Sequence, residues 1–170
     1  MYTLKACSTK LATCDHHLLL IHRSLIQEGS CTNSPAYGGG GGTSFYEKFD
    51  NCNAVIKRVT IRHGRVVDAI QITYQLSNGN EVQGGYFGGY GGDQDIFSIE
   101  VDSGERIIAI LGRSGGVVDQ LTFITNQGRS YGPYGWNGGQ RFRVESCVVR
   151  GIYGRSGGLL DNIGFICTPP

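Results

Sequence analysis

At 170 residues the chain has room for one domain with a proper core, or one domain plus an extension. Its 15 basic and 14 acidic residues leave a formal net charge of +1, which gives no electrostatic case for nucleic acid or an anionic membrane surface. No apolar run approaches the roughly 18 residues that a transmembrane helix needs, so no membrane insertion is expected.

Residues 1–35 differ from the rest. They hold Cys7, Cys14 and Cys31, the histidines His16, His17 and His22, and few glycines. Leu11, Cys14, Leu18, Ile21 and Leu25 fall at steps of three and four, which predicts a short amphipathic helix. The apolar run Leu18 to Ile21 is flanked by histidine and lacks a small-residue cleavage site, so the numbering is expected to start at or near a mature terminus. The histidine and cysteine spacing matches no zinc-ligand pattern, and surface histidines are the expectation. Asn33-Ser34-Pro35 closes the segment with turn chemistry.

From Tyr37 onward the chain reads as strand and turn. Ile70, Ile72, Tyr74 and Leu76 alternate with Gln71, Thr73 and Gln75, the period of a half-buried strand. Phe97, Ile99 and Val101 alternate with Ser98, Glu100 and Asp102. Leu121 and Phe123 flank Thr122, Phe142 and Val144 alternate with arginines, and Ile163 and Phe165 flank Gly164. Ser77-Asn78-Gly79-Asn80, Asp102-Ser103-Gly104 and Asn126-Gln127-Gly128 supply turns between them. The expected class is an antiparallel all-β domain.

Glycine is the compositional anomaly, 28 residues against an ordinary usage less than half as large. Much of it falls in two recurring features. Gly-x-x-x-Asp turns occur at Gly64 to Asp68, Gly115 to Asp119 and Gly157 to Asp161, each running straight into an apolar strand position. Glycine clusters occur at Gly38 to Gly42, Gly88-Gly89-Tyr90-Gly91-Gly92 and Gly138-Gly139. Cluster and turn alternate three times at intervals of 42 to 51 residues. A unit of that size used three times predicts threefold pseudo-symmetry, with four short strands per unit.

Six cysteines without metal spacing predict disulfides and a secreted, extracellular protein. A hairpin centred near residue 157 sets Cys147 across from Cys167 and predicts a bridge there. The other four have three routes: pairing within residues 1–35, tying that segment to Cys52, or linking two chains into a covalent homodimer. Catalysis is not expected. The aspartates repeat once per unit, so symmetry separates them, whereas glycoside hydrolysis needs two carboxylates converging on one bond. Ser114 and Ser156, in Gly112 to Gly116 and Gly154 to Gly158, lack the strand-to-helix setting of a nucleophile elbow.

Three stretches together resemble the jacalin-related lectins. They are Gly39-Gly40-Gly41-Gly42-Thr43-Ser44-Phe45, Tyr131-Gly132-Pro133-Tyr134-Gly135 followed by Gly138-Gly139, and the closing segment from Gly154 to Phe165. The likeness covers about residues 36–168 in the family's order of motifs and is nearer the mannose-type members, whose chain is not cleaved near its start. It implies a β-prism of three four-stranded Greek-key sheets about a pseudo-threefold axis. It implies a lectin domain over 36–170 behind a cysteine-containing extension over 1–35. It also implies a multivalent, metal-independent, non-enzymatic protein without cofactor that binds mannose- or glucose-type sugars on glycans. Two alternatives are an extracellular matrix protein of the same fold and the targeting domain of a defence protein.

By the same resemblance each aspartate turn pairs with the glycine cluster of the next unit, and the last turn with the first cluster. Asp161, Gly158 and Leu159 then face Gly41 and Gly42. Asp119, Gly116 and Val117 face Gly138 and Gly139. Asp68, Arg65 and Val66 face Gly91 and Gly92. A carboxylate accepts two adjacent hexose hydroxyls in charge-assisted bonds, and glycine lets a sugar ring approach the main chain without a Cβ in the way. The first turn has Arg65 and His63 where the others have paired glycines, which is expected to reshape or crowd its site. Tyr46, Tyr90, Trp136 and Tyr153 lie near clusters or turns and are candidates for stacking on a sugar.

Overall fold

The computed structural model of the chain describes residues 30–170. The helix expected around Leu11 to Leu25, the three N-terminal histidines, Cys7 and Cys14 lie outside them. The chain opens with β1 (Thr32–Asn33), β2 (Tyr37–Gly38) and β3 (Thr43–Lys48). Next come β4 (Val55–His63), β5 (Val67–Gln75), β6 (Glu81–Gly88) and β7 (Asp93–Ser98), then β8 (Ile107–Ser114), β9 (Val118–Thr125), β10 (Ser130–Gly135) and β11 (Gln140–Val144). It closes with β12 (Val148–Ser156) and β13 (Leu160–Thr168). Helix among the described residues is limited to two short 3-10 turns at Asp50–Cys52 and Val101–Ser103.

All pairings are antiparallel. Sheet B runs β6-β5-β4-β7 and sheet C runs β10-β9-β8-β11. In each, three strands form a meander and the fourth returns beside the first, which is Greek-key order. Sheet A has the same order but is built from both ends of the chain: β12 and β13 lead, β1 and β2 lie along β13, and β3 returns beside β12. The three sheets are thus the expected prism, with the third strand of sheet A broken in two around Pro35, a residue with no N–H to give a ladder.

Three expectations shift. Pairing of Thr32 with Cys167 and Asn33 with Ile166 starts ahead of residue 36, and a disulfide ties Cys31 to Cys52. The end of the expected extension is therefore part of sheet A. The strand expected through Phe97, Ile99 and Val101 stops at Ser98. Ile99 is still buried, but the chain turns there, with Val101 N–H bonded to the Ile99 carbonyl and Gly104 at φ 80° closing the 3-10 turn. The second disulfide joins Cys147 to Cys167 as expected, although the ladder sets Val149 opposite Cys167, so the bridge spans the hairpin diagonally. Both bridges lie within one chain, so Cys31 and Cys52 do not link two chains.

The core fills the prism axis with inward positions of all three sheets, among them Ile61, Ile70, Ile110, Leu121, Ile152 and Ile163, each fully buried. Stacked rings join neighbouring sheets at their edges. Phe45 of β3 stacks on Phe87 of β6, Phe97 of β7 on Tyr131 of β10 at 4.2 Å, and Tyr37 of β2 on Phe142 of β11. One such seam per sheet boundary closes the prism, and aromatic pairs add stability beyond the area they bury. Truncating Phe97 to Ala, which empties one seam, is expected to lower unfolding free energy by about 3–5 kcal/mol. Urea midpoints measure it, and a loss of less than about 1 kcal/mol would mean the seams are not structural.

A second internal bond crosses from sheet A to sheet B. Glu47 of β3 is 8% exposed, with Oε1 accepting from the Tyr74 hydroxyl at 2.9 Å and Oε2 from Gly85 N–H at 2.5 Å. Burial raises its pKa above the ordinary 4.5, against the lowering pull of Gly85 and Tyr74. Tyr74 is likewise raised, by burial first and the facing carboxylate second. With Glu47 raised in the folded state, its contribution to stability is complete below about pH 4.5 and is lost as pH rises through the folded value. Wild type is therefore expected to lose stability relative to Glu47→Gln as pH rises above 4.5. Parallel pH profiles of the two unfolding midpoints would contradict this.

Candidate functional site

Each of the three aspartates is the extra residue of a β-bulge. Where β12 pairs with β13, Arg155 faces Asn162 and Ser156 faces Leu160, so Asp161 has no partner. Arg62 faces Ala69 and His63 faces Val67, passing over Asp68. Arg113 faces Gln120 and Ser114 faces Val118, passing over Asp119. A bulge bends the strand and re-aims the unpaired residue. Beyond it a three-residue loop closes each hairpin, with Gly157 N–H bonded to the Leu159 carbonyl, Gly115 to Val117 and Gly64 to Val66, all at 3.0 Å.

The backbone released from the ladder is taken up by a glycine cluster. The Asp161 carbonyl accepts from Gly39 N–H at 2.9 Å, that of Asp68 from Gly89 at 3.0 Å, and that of Asp119 from Trp136 at 3.1 Å. Cluster and aspartate thereby align, and the carboxylate comes to rest over two consecutive glycines. A Cβ on Gly41 would overlap Asp161 Oδ1, and one on Gly42 would sit 2.5 Å from Oδ2. At Gly91 and Gly92 the corresponding approaches to Asp68 are 2.6 and 2.7 Å, and at Gly138 and Gly139 those to Asp119 are 2.6 and 2.5 Å. These glycines admit the protein's own carboxylate. Open space lies instead at the turn tips Gly116 and Gly158, where an added Cβ meets nothing within 4 Å.

An arginine holds the same two glycines from the strand side. Arg155 donates from Nε to the Gly41 carbonyl at 2.9 Å and from Nη2 to that of Gly42 at 2.7 Å. Arg113 grips Gly138 and Gly139 at 2.7 and 3.0 Å, and Arg62 grips Gly91 and Gly92 at 2.9 and 2.8 Å. A planar fork suits two adjacent carbonyls as lysine does not. Sequence reading passed over these three arginines, although each stands six residues before its aspartate in every unit. Asp119 Oδ2 is buried with no hydrogen-bond partner among the described residues, an acceptor held toward the cluster without a donor.

The bulge register also corrects the reading of the first turn. Gly64 keeps the first glycine position, Arg65 replaces only the second, and His63 stands where the others have serine. Arg65 occupies the position that is open in the other turns, and its guanidinium lies 5.3 Å from the Trp136 ring centroid. His63 is held by Asp95 at 2.7 Å through Nε2 and accepts from Gly135 N–H on Nδ1. The Asp68 carboxylate keeps the same relation to its glycines as the other two.

Of the candidate aromatics, Tyr90 is 83% exposed and Trp136 58%, both within clusters. Tyr46 and Tyr153 face each other across β3 and β12, and the Tyr153 hydroxyl donates to the Ser34 carbonyl, which binds the start of sheet A. Tyr153 therefore packs on that sheet, while Tyr46 is 55% exposed. Among the described residues no three His, Cys, Asp or Glu side chains are grouped so as to hold a metal ion, and no helix is long and apolar enough to cross a membrane.

The chain is similar to several known proteins. Zymogen granule membrane protein 16 of Rattus norvegicus is 34% identical over 121 residues, which cover 70% of this chain and 67% of that protein. Among solved structures, a mannose-binding jacalin-related lectin from Ananas comosus superposes with a TM-score of 0.72 at 32% identity, over 82% of this chain and 99% of that one. A mannose-specific jacalin-related lectin from Morus nigra, in complex with mannose, gives a TM-score of 0.72 at 27% identity, over 81% of this chain and 94% of that one. The jacalin-like lectin domain matches residues 34–166. With the prism, the bulged aspartates and this match together, the chain belongs to the jacalin-like lectin domain family.

Proposed function

We propose that the chain is a secreted, metal-independent lectin that binds mannose- or glucose-type sugars of glycans at three sites, centred on Asp161, Asp119 and Asp68. One observation carries the reading: a carboxylate held over two glycines whose carbonyls an arginine fork occupies, built three times. A carboxylate in this setting offers only acceptors, and a hexose presents adjacent hydroxyls that donate. Because the fork and bulge fix the geometry before the sugar arrives, little ordering is left to oppose binding. The turn tips Gly158 with Leu159, Gly116 with Val117, and Arg65 with Val66 form the opposing rim. The mannose-binding relatives support the sugar class.

Three weak sites on one rigid prism suit a multivalent ligand, since linked binding multiplies weak affinities. Two intrachain disulfides and the similarity to a zymogen granule protein support the secretory pathway.

Losing two charge-assisted bonds, Asp161→Ala is expected to reduce affinity at its site at least about tenfold. The triple change at Asp68, Asp119 and Asp161 is expected to abolish binding to a mannose array, while chelator leaves wild-type binding intact. Retained binding by the folded triple variant would refute the assignment. Arg155→Lys keeps the charge but loses the fork, and a roughly three- to tenfold weaker Asp161 site is expected by titration calorimetry in an Asp68→Ala, Asp119→Ala background.

A further inference from the structure

Around one end of the prism each glycine cluster also abuts the turn of another site. Two of these junctions are backbone against backbone: a Cβ on Gly39 would overlap the Gly116 carbonyl, and one on Gly89 would overlap that of Gly158. At the third junction both positions change together. Trp136 stands in the cluster position of Gly39 and Gly89, and Arg65 in the turn position of Gly116 and Gly158. Tryptophan has no room where the two glycines lie flat, so the exchange replaces a closed backbone contact with an open pair of side chains, the guanidinium 5.3 Å from the indole centroid.

The pair sits on the flank of the Asp68 site, because Arg65 is the tip of that site's own turn. The opposite flank carries Tyr90, 83% exposed and stacked on Tyr86 at 5.2 Å. At the matching cluster position the other two sites have Gly40 and Asn137. Among the described residues, Asp68 alone of the three aspartates thus has exposed aromatic surface on both sides. Trp136, 58% exposed yet held by Arg65, is an apolar plane whose orientation is set in advance, the condition under which a ring contact adds affinity with little loss of side-chain freedom.

A hexose whose hydroxyls are held by Asp68 leaves its linked neighbour to lie across the rim of the site. We propose that Arg65 and Trp136 form a subsite attached to the Asp68 site that takes this neighbouring residue of a neutral oligosaccharide. The neighbour's C–H face stacks on Trp136 and its oxygens accept from Arg65. The proposal rests on the Asp68 turn being a sugar site, as argued above. An anionic sugar is disfavoured because Arg65 belongs to the Asp68 turn and meets Trp136 of the cluster bonded to Asp119, so two carboxylate sites flank it, and its charge already faces the indole. The Asp68 site is then the one that distinguishes a chain from a single sugar.

The test isolates that site in the full chain carrying Asp119→Ala and Asp161→Ala. Calorimetry with methyl mannoside and with an unbranched mannose trisaccharide is then compared across Arg65→Gly, Trp136→Ala and Asp68→Ala. Arg65→Gly installs the residue found at the other two turn tips, so it tests the subsite without disturbing the loop, and melting temperatures verify folding. Both subsite variants are expected to bind the trisaccharide about fivefold or more weakly, and Trp136→Ala, which lies outside the rim of the Asp68 site, is expected to keep methyl mannoside affinity within about twofold. Equal loss for both ligands, or no loss, in folded Trp136→Ala overturns the proposal, as does unchanged trisaccharide binding in folded Arg65→Gly. Preference of the parent for a uronate- or sulfate-bearing trisaccharide overturns its neutral-sugar assignment. Unchanged binding in Asp68→Ala would instead remove the site reading beneath it, a separate and recognisable failure.

Discussion

The β-bulge at each aspartate is the constraint on which the rest of this end of the prism depends. One residue more than the ladder can pair releases a carbonyl and a carboxylate at the same point of the chain. The carbonyl is bonded by a cluster N–H, and that bond sets the register that lays the carboxylate over the next two glycines. Arginine from the strand before the bulge then grips the carbonyls of those glycines. Remove the bulge and the aspartate would return to ladder pairing, its side chain directed by the pleat.

The glycines are explained by this packing more than by loop flexibility. Gly41, Gly91 and Gly138 sit beneath a carboxylate oxygen, and Gly42, Gly92 and Gly139 combine the same closeness with positive φ of 57–65°. Glycine loses more conformational freedom on folding than other residues, and the backbone bonds and arginine forks at each cluster offset that loss. Where no such closeness exists, at the turn tips, the sequence is free to vary, and Arg65 is the variation that occurred.

Sheet A carries an additional burden, since its strands come from both ends of the chain. Asp161 meets Gly41 only because β3 and the short β1 and β2 are zipped onto β12 and β13. Several attachments hold that closure: the Cys31–Cys52 bridge, the Tyr153 bond to Ser34, and Glu47 reaching across to Tyr74 and Gly85 in sheet B. A buried carboxylate satisfied by two donors specifies how two sheets meet, because any other arrangement leaves it unpaired.

Much of the architecture was legible because the repeat is written in residue types with narrow backbone uses. Glycine clusters, Gly-x-x-x-Asp turns and alternating strands such as Ile70 to Tyr74 point to three units of antiparallel sheet without any knowledge of contacts. The central strands β4, β8 and β12 were less visible, and the reason is physical: each contains an early bulge, after Ile56, Ile107 and Val149, that slips the two-residue alternation. The early end of β7 escaped for the opposite reason, since Ile99 stays buried after the strand stops and so preserves the pattern.

The pairing of each aspartate with its cluster came from family likeness and not from spacing, because no local signal ties Asp161 to glycines 119 and 120 positions earlier. By itself the sequence determined the class, the threefold unit and the identity of the aspartates, since these follow from local periodicity and turn chemistry. Only the tertiary structure decided that the glycines admit the protein's own carboxylates, that Arg62, Arg113 and Arg155 are structural forks, and that Arg65 meets Trp136. Those outcomes depend on which strands become neighbours, and neighbours in a Greek-key prism are set by closure of the whole chain.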